Sequence, residues 1–126
     1  MTEDVGATLP LTRPISVNGM YQNRSAKGRR GRMYTERYRV WKRNAENVLM
    51  SAGPRPTFSR PVEISLTVSE ASVSSQADTD NVAKAYLDLF VSMGILPDDT
   101  RKTVRRLAIE WTSEPEGYAR ITPTNR

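Results

Sequence analysis

Neither cysteine nor histidine occurs in the 126 residues. The first absence excludes disulfides, zinc–thiolate sites and a thiol nucleophile; the second excludes an imidazole base and any imidazole-held metal. Catalysis must then rest on carboxylates, lysine, arginine, tyrosine or serine. A bound metal would be a hard cation that takes oxygen ligands, such as Mg2+ or Mn2+. Long apolar runs are missing too. None approaches the roughly 18–20 residues of a membrane helix, and no signal-peptide pattern opens the chain. No membrane partner and a cytoplasmic location are therefore expected, and the compact, cysteine-free chain fits a bacterial or phage-encoded protein.

What is present is an ordinary apolar fraction of 37% with 26% charged residues, enough for one domain over residues 1–126 and too little chain for two. The net charge of +5 is unevenly spread. From Arg13 to Arg43 there are ten Lys and Arg against the single acid Glu36, so that segment is net +9 and the remainder −4. Such asymmetry points to a polyanion, nucleic acid first among them. Its densest part, QNRSAKGRRGR (residues 22–32), holds two glycines, the cations Arg24, Lys27, Arg29, Arg30 and Arg32, and no apolar residue beyond Ala26. It reads as a mobile basic loop and the best source of phosphate contacts.

Residues 1–9 are polar and expected to fray. Leu9–Asn18 reads as an edge strand, because Pro14 cannot donate to a central ladder. From Thr35, a plausible N-cap, the period becomes helical, with Tyr38, Trp41, Ala45, Val48 and Leu49 on one stripe until Gly53 and Pro54 end it. Val62, Ile64, Leu66 and Val68 alternate with polar residues as in a half-buried strand. A second helix is expected from Asp80 to about Met93, burying Val82, Tyr86, Leu89 and Met93 and stopping at Gly94. Leu107, Ile109 and Trp111 then alternate inward, and a last short strand after Gly117 is expected to pair with that one. The order β-α-β-α-β-β predicts an α/β (α+β) fold, a two-layer sandwich with a mixed sheet of about four strands and two main helices. Phe90, Ile95 and the open sheet edges are apolar surface that a second copy would cover.

A cluster of acids stands out in so basic a chain: residues 78–99 read DTDNVAKAYLDLFVSMGILPDD. Helix capping explains one aspartate at the start of the second helix. It does not explain two, with Asn81 and Lys84 within one turn and Asp88 continuing the line at i+4. A calcium-binding EF-hand loop is excluded: its sixth position lacks glycine and its twelfth is Leu89 rather than glutamate.

This segment resembles the signature of the RusA family of Holliday-junction resolvases, an Asp-x-Asp-Asn followed by a lysine, an aspartate, a glycine and a closing Asp-Asp. Asp78, Asp80, Asn81, Lys84, Asp88, Gly94, Asp98 and Asp99 meet it without an insertion. RPISVNGMY (residues 13–21) is similar to the family's first strand. Ile95 and Pro97 stand in the turn where the family commonly has an aromatic. The resemblance implies a homodimeric, Mg2+-dependent endodeoxyribonuclease that cuts four-way (branched) DNA junctions in recombination and repair. It implies that Asp78, Asp80 and Asp99 are catalytic metal ligands, that Lys84 is the essential lysine, and that Asn81, Asp88 and Asp98 support them. A two-fold symmetric junction cut twice matches a two-fold dimer with two sites. Two other functions remain open on the residues: a less selective flap or fork nuclease, and a junction-binding module without catalysis.

Overall fold

The computed structural model describes residues 5–14, 21–23, 32–34, 36–71 and 78–124. The elements are β1 (Ala7–Leu11), β2 (Tyr21–Asn23), β3 (Arg32–Tyr34), α1 (Glu36–Ser51), β4 (Val62–Ser69), α2 (Thr79–Ser92), β5 (Val104–Thr112) and β6 (Gly117–Pro123). Four strands form one mixed sheet in the order β1-β6-β4-β5. The β1–β6 and β6–β4 pairs are antiparallel and β4–β5 is parallel. The expected α+β architecture of four strands and two helices is thus the one observed. No helix among the described residues is long and apolar enough to cross a membrane.

The alternation in β4 works as its pattern predicts: Val62, Ile64, Leu66 and Val68 are all buried. Ala119 and Ile121 of β6 and Leu9 and Leu11 of β1 extend the same face. Both helices cover it, and one apolar cluster joins these strands to Ala45 and Leu49 of α1 and to Val82, Tyr86, Leu89 and Phe90 of α2. Each large apolar side chain so buried contributes about 1.5–3 kcal/mol. The opposite face carries Glu63, Ser65 and Thr67, facing Thr122, Arg120 and Tyr118 across the β4–β6 pair, and needs no second layer. Gly117 opens β6 because a Cβ there would strike the carbonyl oxygen of Thr67.

Five expectations are corrected. The last strand does not pair with β5; it lies between β1 and β4, which leaves β5 as an edge. Its apolar residues are therefore only partly covered: Ile109 and Trp111 are half-buried and Leu107 is 42% exposed. Val48 sits outside the buried stripe of α1, which is Tyr38, Ala45 and Leu49. The first strand ends at Leu11, and the part of that expectation from residue 15 to 18 lies outside the described residues. The ends of the segment read as a basic loop belong to the two-stranded antiparallel β2–β3 ribbon, with Gln22 opposite Met33 and Asn23 opposite Arg32. Finally, Phe90 and Ile95 are 0% and 1% exposed inside the chain's own core, so neither is apolar surface awaiting a partner.

The unit that positions the acids is β4–α2–β5. In a parallel β-α-β unit the helix returns antiparallel to the strands. It starts near the carboxyl end of the first strand and ends near the amino end of the second. Helix α2 has 14 residues and is about 21 Å long at 1.5 Å per residue. Whatever precedes it and whatever follows it lie at opposite edges of the sheet.

Candidate active site

At the amino end of α2, which begins at Thr79 and not at Asp80, the N-cap residue is Asp78, in extended backbone. Its carbonyl oxygen accepts from the Val82 amide at 3.1 Å, the first helical bond. Its carboxylate makes no capping bond to the backbone; Asn81 instead donates from Nδ2 to Asp78 Oδ2 at 3.4 Å. Capping, the plain structural reason for an aspartate here, is therefore not what this side chain does. Asp80 lies in the first turn, where the helix dipole favours a negative charge. Asp78, Asp80 and Lys84 are exposed, and Asn81 and Asp88 are partly so. Lys84 follows Asp80 by four residues, the spacing that puts two side chains on one helical face.

The remainder of α2 explains why this face is so narrow. Val82, Ala83, Ala85, Tyr86, Leu87, Leu89 and Phe90 are all buried, so the outward stripe consists of Asp80, Lys84 and Asp88 with their immediate neighbours. Tyr86 crosses the core to donate its hydroxyl to the carbonyl oxygen of Thr12, and burial pushes its phenol pKa well up. Its ring meets Trp41 edge-on at 5.5 Å, and Trp41 Nε1 donates to the Arg13 carbonyl at 2.8 Å. Two successive carbonyls at the end of the β1 segment are thereby tied to the layer beneath the site.

At the other end, Gly94 in the left-handed region (φ 76°) lets the helix stop. The Ile95 amide donates to Phe90 O at 2.9 Å and the Gly94 amide to Val91 O at 3.0 Å, a Schellman closure. Arg55 adds a bond from Nη1 to Met93 O at 2.9 Å. Ile95 and Leu96 anchor the turn in the core and present Asp98 and Asp99. Asp98 Oδ1 accepts from the Thr100 hydroxyl at 2.7 Å and the Thr100 amide at 2.9 Å. Hydrogen bonds from the Thr100 side chain, the Thr103 side chain and the Thr100 backbone, with the Lys102 charge, hold its pKa below the ordinary carboxylate value. Asp98 is thus committed to the turn, and Asp99 beside it is exposed. Asp88, Asp98, Asp99 and Lys42 line one cleft along the carboxyl-terminal half of α2.

The predicted set is therefore divided. Asp78, Asp80, Asn81 and Lys84 are brought together at one edge, and Asp88, Asp98 and Asp99 toward the other. Among the described residues, no three acids come close enough to hold one metal ion. The oxygen donors suit Mg2+ or Mn2+ in kind, but a single chain supplies two of the three expected ligands at one place and the third elsewhere. Arg24, Lys27, Arg29 and Arg30 lie outside the described residues, and Arg32 belongs to β3. A further set of cations was missed in the sequence: Arg101, Lys102, Arg105 and Arg106 directly after Asp99, all exposed. The larger run at residues 13–43 obscured them, although four cations within six residues were there to be read.

A family model described as endodeoxyribonuclease RusA matches residues 14–122. The match takes in both acidic ends of α2 and three of the four strands of the main sheet. No curated protein matches the chain.

Proposed function

The chain belongs to the RusA family of endodeoxyribonucleases, and is thus a hydrolase acting on DNA; from that premise we propose that it resolves four-way junctions by paired symmetric nicks that depend on Mg2+ or Mn2+, in recombination and repair. The observation that carries this reading is the state of Asp78. It is an N-cap aspartate that does not cap, two residues before Asp80, which is itself one turn from Lys84, at the end of a strand–helix unit where open α/β sheets place their ligands.

In this reading Asp78, Asp80 and Asp99 are the metal ligands. Because Asp78 and Asp80 lie at the amino end of α2 and Asp99 lies in the cleft along its carboxyl-terminal half, the third ligand comes from a second chain. Two chains related by a two-fold axis, with the amino end of each α2 facing the carboxyl end of the other, make two complete sets of three. A divalent ion so held supplies Lewis-acid stabilisation and activates water. The side chains do the rest. Asn81 orients the Asp78 carboxylate, Lys84 donates to a phosphate oxygen, and Asp98 fixes the turn that carries Asp99. Phosphate contacts away from the cut fall to Arg24, Lys27, Arg29, Arg30 and Arg32.

Nicking of a synthetic four-way junction, a flap and a linear duplex, each with Mg2+ and with EDTA, tests the proposal. Junction-selective, metal-dependent cutting that falls by orders of magnitude in Asp80→Asn, with junction binding retained, is the expected result. Equal cutting of flaps would favour the less selective nuclease, and full activity of Asp80→Asn would remove the assigned metal site.

A further inference from the structure

We propose that Arg101, Lys102, Arg105 and Arg106 form a second phosphate-contact surface, which holds the DNA backbone beside Asp99. The inference rests on the nuclease reading above and extends it to residues outside the family signature and outside the basic segment at residues 13–43.

Three observations carry it. The first is that, of these cations, only Arg105 is engaged within the chain among the described residues, by a bond to the Arg101 carbonyl oxygen on the patch itself. Arg55 closes the end of α2 through Met93 O, and Arg120 Nη1 donates to the Thr8 hydroxyl at 3.2 Å across the β1–β6 pair. Among the described residues none of the four forms an ion pair, and all four are exposed. Holding four like charges close together costs free energy, and a polyanion would offset it.

The second is that the backbone presenting them is rigidly specified. Asp98 accepts from the amide and hydroxyl of Thr100. The Thr103 and Val104 amides both donate to Thr100 O, at 3.0 and 2.9 Å, and the Val62 amide donates to Thr103 O at 2.8 Å. Thr103 is buried. Arg101 and Lys102 therefore project from a turn pinned on both sides, and little backbone entropy remains to be lost when they meet phosphate.

The third is a break in the β4–β5 ladder. Val62 pairs with Val104 and Glu63 with Arg106, which leaves Arg105 as an extra residue in β5. Bulges are rare in parallel pairs, and they re-aim side chains beside active sites. Here strict alternation is lost and Arg105, Arg106 and Leu107 are exposed in succession. The Arg105 guanidinium turns back, donating from Nη1 to Arg101 O at 3.0 Å. That bond draws the two ends of the patch together. The only acids on this turn are Asp98 and Asp99; the first is bonded to Thr100, and the second is the proposed metal ligand. A backbone phosphate placed at Asp99 thus has Arg101 and Lys102, two and three residues on, beside the phosphates that follow it.

The test is the salt dependence of binding, measured by fluorescence anisotropy on a labelled four-way junction in EDTA. Arg101→Gln/Lys102→Gln is expected to bind more weakly than wild type and to flatten the slope of log K against log salt by about 1.8, and adding Arg106→Gln to flatten it by a further ~0.9. Melting curves unchanged from wild type show that the loss is of contacts and not of fold, and Arg106→Gln alone, on the strand and not the turn, gives a reading independent of the turn. A steep wild-type slope that both variants retain would overturn this surface and leave the nuclease reading intact. A wild type that shows no salt-dependent junction binding would overturn both.

Discussion

Asp78 and Asp99 stand at opposite ends of α2, at opposite edges of the sheet, although both belong to one motif of 22 residues. A helix of 14 residues, about 21 Å long, lies between them, and the turn that carries Asp99 is held at its far end by buried Ile95 and Leu96 and by the bonds from Thr100 to Asp98. If both ligate one ion, the protein must act as more than one chain. This is a stronger reason for a dimer than exposed apolar area, because Phe90 and Ile95 are buried within the chain.

Light scattering at micromolar concentration should accordingly give about twice the 14.2 kDa chain mass. A monomer that still makes paired cuts in one binding event would contradict the two-chain site.

Tyr86→Phe should destabilise the fold by about 1–3 kcal/mol, because it removes the donor to the Thr12 carbonyl in a largely buried place and keeps the ring against Trp41. With its pKa pushed up by burial, the phenol remains a donor throughout the working pH range. A shift in the urea midpoint without a change in slope would confirm the loss of this one bond. An unchanged midpoint would mean that the Thr12 carbonyl does not depend on it.

Asp98 gives a pH-dependent contribution of known sign. Its folded pKa lies below the ordinary carboxylate value, chiefly because the Thr100 side chain bonds the ionised form. The stabilisation is therefore fully present above the unfolded pKa of about 3.9 and is lost as pH falls through the lower folded value. Asp98→Ala should melt below wild type at pH 6, and the two curves should converge in strong acid. A gap that stays constant down to the lowest pH would show that ionisation of Asp98 is not what holds the turn.

The parts of the fold that could be read from sequence are those governed by short-range periodicity. Val62, Ile64, Leu66 and Val68 face the core because alternate residues of a strand share a face, and Gly94 ends α2 because left-handed backbone is open to glycine. Strand partnership carries no such local mark. Neighbouring strands in sequence pair by default, yet β6 passes over β5 to lie against β4 and β1. The same alternation in Leu107, Ile109 and Trp111 therefore ends on a half-covered edge. Phe90 was misplaced because α2 is buried around most of its circumference, so a single apolar stripe describes it poorly. In the candidate site, residue identities and spacings were legible as a motif. The separation of Asp78 from Asp99 was not seen, although it follows from placing a helix of this length between two parallel strands.

Mixing two inactive proteins tests the central claim most directly. Asp80→Asn and Asp99→Asn should each fail to nick a four-way junction in Mg2+. After the two are unfolded together and refolded, half of the dimers are mixed, and in each mixed dimer one site combines an intact Asp78–Asp80 pair with an intact Asp99 from the other chain. Nicking should return to about a quarter of the wild-type site count, as single nicks without paired resolution. A mixture as inactive as its two components, though shown to contain mixed dimers, would contradict a site shared between two chains.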